Sequence, residues 1–86
     1  MIEIEYVGSI QEDLGVDEDR EQLAWSPEMT DIAALIEVLC TQRGERWSIA
    51  LHQDGLLFSV NESMVKLDHP LADGDKLAIY PAIAGG

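Results

Sequence analysis

Ile32, Leu35, Ile36, Leu39 and Cys40 fall at i, i+3, i+4, i+7 and i+8, which puts all five on one face of a helix. The spacing predicts a helix from about Asp31 to Arg43. Thr30 is its expected N-cap, and Asp31 then lies in the first turn, where the helix dipole favours negative charge. Arg43 suits the last turn and Gly44 the position after it. The rest of the 86-residue chain reads largely as short strands and turns. One helix can cover only one face of a sheet, so the expected class is α+β in two layers.

Around that helix the period changes from 3.6 to 2. Ile2, Ile4 and Tyr6 alternate with Glu3 and Glu5, a strand with one buried face and an acidic outer face. Ile10 to Leu14 can make one helical turn that stops at Gly15. The charged run from Val16 to Glu21 reads as a solvated loop, followed by a strand over Leu23 to Trp25 that ends at Ser26-Pro27. Arg46 to Leu51 is ambiguous. Asp54-Gly55 is a turn, and Leu56 to Val60 is a strand turned back by Asn61-Glu62 into Met64 to Leu67. Asp68-His69-Pro70 is a break and Asp73-Gly74-Asp75 a tight turn. In the last strand, Lys76 to Tyr80, Leu77 and Ile79 share one face and Ala78 and Tyr80 the other. If the first strand pairs in parallel with the last, the main helix lies across a mixed sheet, the β-grasp arrangement. The expected organisation is a β-grasp domain over 1–81 and a flexible C-terminal tail over 82–86.

Charge narrows the function. Seventeen acidic against five basic side chains give a net charge of −12. Such a surface repels phosphate backbones and anionic membranes, so neither nucleic acid nor membrane is an expected partner. The hydrophobic fraction of 47% argues for a folded core rather than a disordered acidic tail. Met1 to Tyr6 has no basic region of the kind that opens a signal peptide, and no apolar run approaches the ~20 residues of a membrane span. Cys40 is the single cysteine, which excludes an intramolecular disulfide and any multi-cysteine metal site. A soluble, cytoplasmic protein is expected.

Few residues offer chemistry. Cys40 lies on the apolar stripe, where a thiol behaves as a small inert hydrophobe. His52 near a strand end and His69 in a turn read as surface polar residues, with no second ligand at metal spacing, so no metal is expected. No carboxylate pair stands out as acid and base, and Gly85-Gly86 precedes no helix that could hold a phosphate. The terminus itself remains. Without a Cβ, Gly85-Gly86 can enter a channel too narrow for other residues, and the carboxylate of Gly86 is unhindered. From Ala82 to Gly86 the chain can reach roughly 16 Å at ~3.3 Å per residue.

Several segments then carry a resemblance. Arg46-Trp47, Val60-Asn61, Asp68-His69-Pro70-Leu71, Asp73-Gly74-Asp75, Tyr80-Pro81 and the final Gly85-Gly86 resemble the ubiquitin-like sulfur carriers, most closely the small subunits of molybdopterin synthases. The resemblance implies that Gly86 is adenylated by an ATP-dependent, ubiquitin-activating-like adenylyltransferase and converted to a thiocarboxylate by a sulfur donor, a sulfurtransferase or cysteine desulfurase. It implies that the tail of Pro81, Ala82, Ile83, Ala84, Gly85 and Gly86 enters the synthase large subunit, in a heterotetramer, and gives sulfur to cyclic pyranopterin monophosphate. Val7, Met64 and Tyr80 are then expected to form an apolar docking patch beside the tail. No cofactor is expected on this chain, since ATP belongs to the activating enzyme and the catalytic groups to the partners. The family often has two prolines after its aromatic residue, whereas Ala82 follows Pro81 here. The acidity fits encounter with basic partner surfaces and equally a salt-adapted source.

Other readings share the reactive tail but differ in the acceptor. These are a carrier for thiazole synthesis or tRNA thiolation, and a ubiquitin-like modifier forming isopeptides through Gly86. A plain interaction domain would have no use for Gly85-Gly86.

Overall fold

The computed structural model describes residues 1–82. Strand β1 (Ile2–Tyr6) leads through α1 (Ser9–Leu14) to β2 (Arg20–Leu23). Helices α2 (Ile32–Arg43) and α3 (Glu45–Leu51) follow, and then β3 (Leu57–Val60), β4 (Ser63–Val65) and β5 (Lys76–Tyr80). The five strands form one mixed sheet in the order β2-β1-β5-β3-β4. Strands β1 and β5 run parallel in the register Ile4↔Leu77, and every other pair is antiparallel.

The period-two pattern sets the layers. Ile2, Ile4 and Tyr6 of β1, Phe58 and Val60 of β3, and Leu77 and Ile79 of β5 are buried in one core. Ile32, Leu35, Ile36 and Leu39 of α2 complete it from the other side. This is the expected β-grasp, with the main helix across one face of the sheet.

Several local readings are corrected. Strand β2 is Arg20–Leu23 rather than Leu23 to Trp25. The charged residues form the strand because Arg20 stands opposite Glu5 while Glu21 turns inward, where the Tyr6 hydroxyl donates to it at 2.9 Å. The N-cap of α2 is Asp31 rather than Thr30, because Asp31 Oδ1 accepts from the Ala34 amide at 2.8 Å. The ambiguous Arg46 to Leu51 segment is α3, which buries Trp47, Ala50 and Leu51. Gly44, at φ +93°, separates the two helices and serves as C-cap of one and N-cap of the other. Strand β4 stops at Val65 because the chain then turns to meet α2, where the Leu67 carbonyl accepts from Ala33 N at 3.0 Å.

The motifs between β4 and β5 act as staples. The His69 carbonyl accepts from Ile32 N at 3.3 Å, and Leu71 N donates to the Thr30 carbonyl at 3.1 Å. The carbonyls of His69 and Leu67 and the Asp31 carboxylate thus take the amides of Ile32, Ala33 and Ala34, which have no partner within the helix, while Leu71 ties the segment to Thr30 just before it. In the next turn Asp75 accepts from Ala72 N at 2.9 Å and from Asn61 Nδ2 at 3.0 Å. Asn61 and Glu62 take φ of +51° and +73°, the two-residue hairpin geometry joining Val60 to Ser63.

The capping assignment is directly testable. Asp31→Ala should destabilise the fold by about 1 kcal/mol, lowering Tm by several degrees. Thr30→Ala should leave Tm nearly unchanged in the same thermal melts.

Candidate functional site: the outer sheet face and the root of the tail

Helices cover one face of the sheet; the other carries the residues that alternate out of the core. Register decides which of them meet. Tyr80 stands opposite Leu57, Ala78 opposite Ser59, and Ser59 opposite Met64. The Val7 amide donates to the Ile79 carbonyl at 2.9 Å, which carries the parallel pairing one step beyond β1 and sets Val7 beside Tyr80. The three expected patch residues thus share one face. Met64 is 59% exposed, while Val7 and Tyr80 are half-buried.

Leu57, 39% exposed, joins the patch as the cross-strand partner of Tyr80. The sequence hid it, because Leu56, Leu57 and Phe58 form an unbroken apolar run in which no alternation can be read. Beside the patch is a shallow cavity of about 200 Å³ lined by Glu5, Ser59, Glu62, Lys76, Ala78 and Tyr80. The Ser59 and Tyr80 hydroxyls lie 3.3 Å apart, and Lys76 Nζ reaches Glu3 at 3.6 Å. The face is therefore apolar towards the end of β5 and charged towards its start. A larger open groove of about 590 Å³ runs between α1 and α3. There Arg46 donates to the carbonyls of Asp13 and Glu12 at 2.9 and 3.0 Å, capping the end of α1.

The chain leaves the body at Pro81 and Ala82, directly after Tyr80. Pro81 is half-buried beside Gly8 and Ala82 is exposed. Ile83, Ala84, Gly85 and Gly86, on which the chemical expectation rests, lie outside the described residues.

The other candidates resolve into structure. Cys40 is half-buried rather than wholly inside the core. Burial, and then the neighbouring Glu37 charge, push its thiol up, which disfavours the thiolate a nucleophile requires. His52 is the C-cap of α3, not a residue near a strand end. Its Nε2 lies 3.0 Å from Glu37 on α2 and its Nδ1 2.7 Å from the Ser48 carbonyl, a clasp between the two helices. His69 serves its turn through its backbone. Among the described residues, no group of three His, Cys, Asp or Glu side chains could hold a metal ion. Nor is any described helix long and apolar enough to cross a membrane.

The hydrogen bond to Glu37, and then that to the Ser48 carbonyl, raise the pKa of His52. A raised folded pKa stabilises on the acid side. The contribution is complete below the unfolded value of ~6.5 and fades as pH rises through the folded value. In an NMR titration His52 should therefore protonate above the ordinary histidine value. Glu37→Gln should bring it back down.

A mixed five-stranded sheet with a helix across one face and a bare opposite face defines a ubiquitin-like β-grasp protein. The ThiS family model matches residues 4–86, so the chain belongs to the ThiS family. It is 33% identical over 86 residues to the molybdopterin synthase sulfur carrier subunit of Escherichia coli (strain K12), with both chains covered completely. Among solved structures, SAMP1 from Haloferax volcanii is similar at TM-score 0.71 and 18% identity, covering 99% of this chain and 98% of that one. A further similar chain comes from the complex of subunits 1 and 2 of the molybdopterin-converting factor of Helicobacter pylori 26695. It has a TM-score of 0.60 and 22% identity, with 99% and 97% covered.

Proposed function

We propose that this chain is the sulfur carrier of a molybdopterin synthase, in molybdenum cofactor biosynthesis. The observation that carries the reading is the 33% identity with the Escherichia coli sulfur carrier subunit over the full length of both chains. The modifier reading is supported by fold likeness, as with the small archaeal modifier protein 1 of Haloferax volcanii at 16% identity.

Residues 1–81 serve as the docking body and 82–86 as the arm that carries the reacting atoms. A free carboxylate is a poor electrophile, so the Gly86 carboxylate must first be activated. Its oxygen attacks the α-phosphate of ATP on an adenylyltransferase, pyrophosphate leaves, and an acyl-adenylate forms. The outer sulfur of a persulfide on a sulfurtransferase or cysteine desulfurase then displaces AMP to give an acyl disulfide, and a thiol reduces the S–S bond, becoming a disulfide itself and releasing the thiocarboxylate. The new sulfur is a nucleophile on an end without side chains; it displaces an oxygen substituent from a carbon of cyclic pyranopterin monophosphate, and water then cleaves the acyl–sulfur bond and returns the Gly86 carboxylate. Two deliveries build the dithiolene. ATP and the catalytic groups belong to the partners, and this chain holds no cofactor of its own. The setting is the cytoplasm.

The partner is a large synthase subunit, as in the Helicobacter pylori complex of two subunits, and the expected assembly is a heterotetramer. Val7, Leu57, Met64 and Tyr80 are its contact surface, since an exposed apolar patch on a small domain marks an interface. The net charge of −12 speeds encounter with a basic partner.

Intact mass tests the chemistry. After incubation with ATP, a family activating enzyme and a sulfur donor, the chain should gain the mass of sulfur replacing oxygen. Deleting Gly86 should abolish the gain without altering the fold. A ladder of lysine conjugates in place of pterin sulfuration would overturn the reading. Tyr80→Asp should weaken calorimetric binding to the large subunit by at least tenfold, about 1.4 kcal/mol, by placing a charge in the apolar contact.

A further inference from the structure

We infer that Gly55 is a positioning residue for sulfur transfer: its missing side chain sets the direction in which the tail leaves the body. The inference rests on the sulfur-carrier reading and concerns a residue remote from the reacting carboxylate in sequence.

Beyond Tyr80 the chain passes between two loops. On one side Gly8 follows β1, and a Cβ there would lie 3.7 Å from Pro81 Cγ, an ordinary contact. On the other side Gly55 closes the turn between α3 and β3. A Cβ there would lie 3.1 Å from Ala82 Cβ and 3.8 Å from Ala82 Cα. Carbon atoms pack comfortably at ~3.5–4.0 Å, so the nearer contact would push Ala82 aside.

Gly55 also sits at φ +84°, which alone would favour glycine. Comparison with other glycines separates the two reasons. Gly44 and Gly74 have φ of +93° and +96°, and a Cβ on either would meet nothing within 4 Å. Their backbone conformation accounts for them. At Gly55 an approach to the root of the tail is added to it.

The root of the tail is held on its inner side: Pro81 keeps its own φ near −65°, so a push on Ala82 is taken up at Ala82. The four residues beyond Ala82 span at most about 13 Å at ~3.3 Å each. A displacement of a few tenths of an ångström at Ala82 changes the point from which those residues start, and misplacing a reacting group by ~1 Å can cost on the order of 100-fold in rate. The outer sheet face is untouched by the change, so docking and transfer should separate.

Four chains test this: wild type, Gly55→Ala, Gly55→Ala with Ala82→Gly, and Ala82→Val. Each is charged to the thiocarboxylate and mixed with a molybdopterin synthase large subunit and cyclic pyranopterin monophosphate. Single-turnover transfer rate, affinity for the large subunit and Tm are read together. Gly55→Ala should slow transfer at least tenfold and leave affinity within about twofold. Adding Ala82→Gly removes the methyl that the new Cβ meets and should restore most of the rate. It should leave Tm low, since the strain at residue 55 persists. Full-rate transfer by Gly55→Ala, or a loss that Ala82→Gly does not relieve, would overturn the inference. Should Gly55→Ala fail to fold, Ala82→Val crowds the same gap from the tail side with the turn intact. Slowed transfer then supports the inference and full-rate transfer overturns it. If the wild-type chain itself transfers no sulfur, the sulfur-carrier reading falls and the inference with it; an active wild type isolates Gly55.

Discussion

The parallel pairing of β1 with β5 is the contact on which the other features depend. Parallel neighbours need a crossover, and here the crossover contains every other element of the domain. The pairing is pinned at both ends. Glu3 N donates to the Asp75 carbonyl at 3.1 Å, and Val7 N to the Ile79 carbonyl at 2.9 Å. Helix α2 lies across the central strands because the chain must return from the β2 edge, past β1 and β5, to β3. The same pairing brings the ends of β1 and β5 together, which places Val7 and Gly8 beside Tyr80 and Pro81. Patch and tail root are therefore neighbours as a consequence of topology.

A second set of contacts binds the helical layer to the near edge of the sheet. The Tyr6 hydroxyl donates to Glu21, whose carboxylate also meets the Arg43 guanidinium at 2.8 Å. That guanidinium lies 4.4 Å above the Trp47 ring, and Trp47 packs edge-on against Tyr6 with centroids 5.7 Å apart. Four elements, β1, β2, α2 and α3, share one polar and aromatic cluster. Burial and the Glu21 hydrogen bond raise the pKa of Tyr6, so its phenol stays protonated and continues to donate.

That cluster explains what could be read from the sequence and what could not. The stripe from Ile32 to Leu39 and the alternation of Ile2, Ile4 and Tyr6 are one-dimensional signals, and both elements lie where their periods place them. Strand β2 escaped because Glu21 looks like part of a solvated charge run. Only the folded chain supplies the tyrosine and arginine that allow a carboxylate to turn inward. Helix α3 escaped because seven residues are too few to display a period. Leu57 escaped because its exposure is decided by register with Tyr80. The segments that carried the family resemblance, Asp68 to Leu71 and Asp73 to Asp75, hold the fold through backbone and carboxylate contacts. Their contacts in the fold account for their presence.

An open sheet also leaves two unpaired edges, and both are poor templates for an added strand. Strand β4 is three residues long, and β2 presents Arg20, Glu21 and Gln22 along four. A partner that extended the sheet would read mainly backbone amides and be nearly indifferent to sequence. A partner that lies on the outer face must read side chains one by one. Docking on that face would place recognition under the control of individual substitutions, so carriers of one fold could diverge towards separate recipients without any change in their strand order.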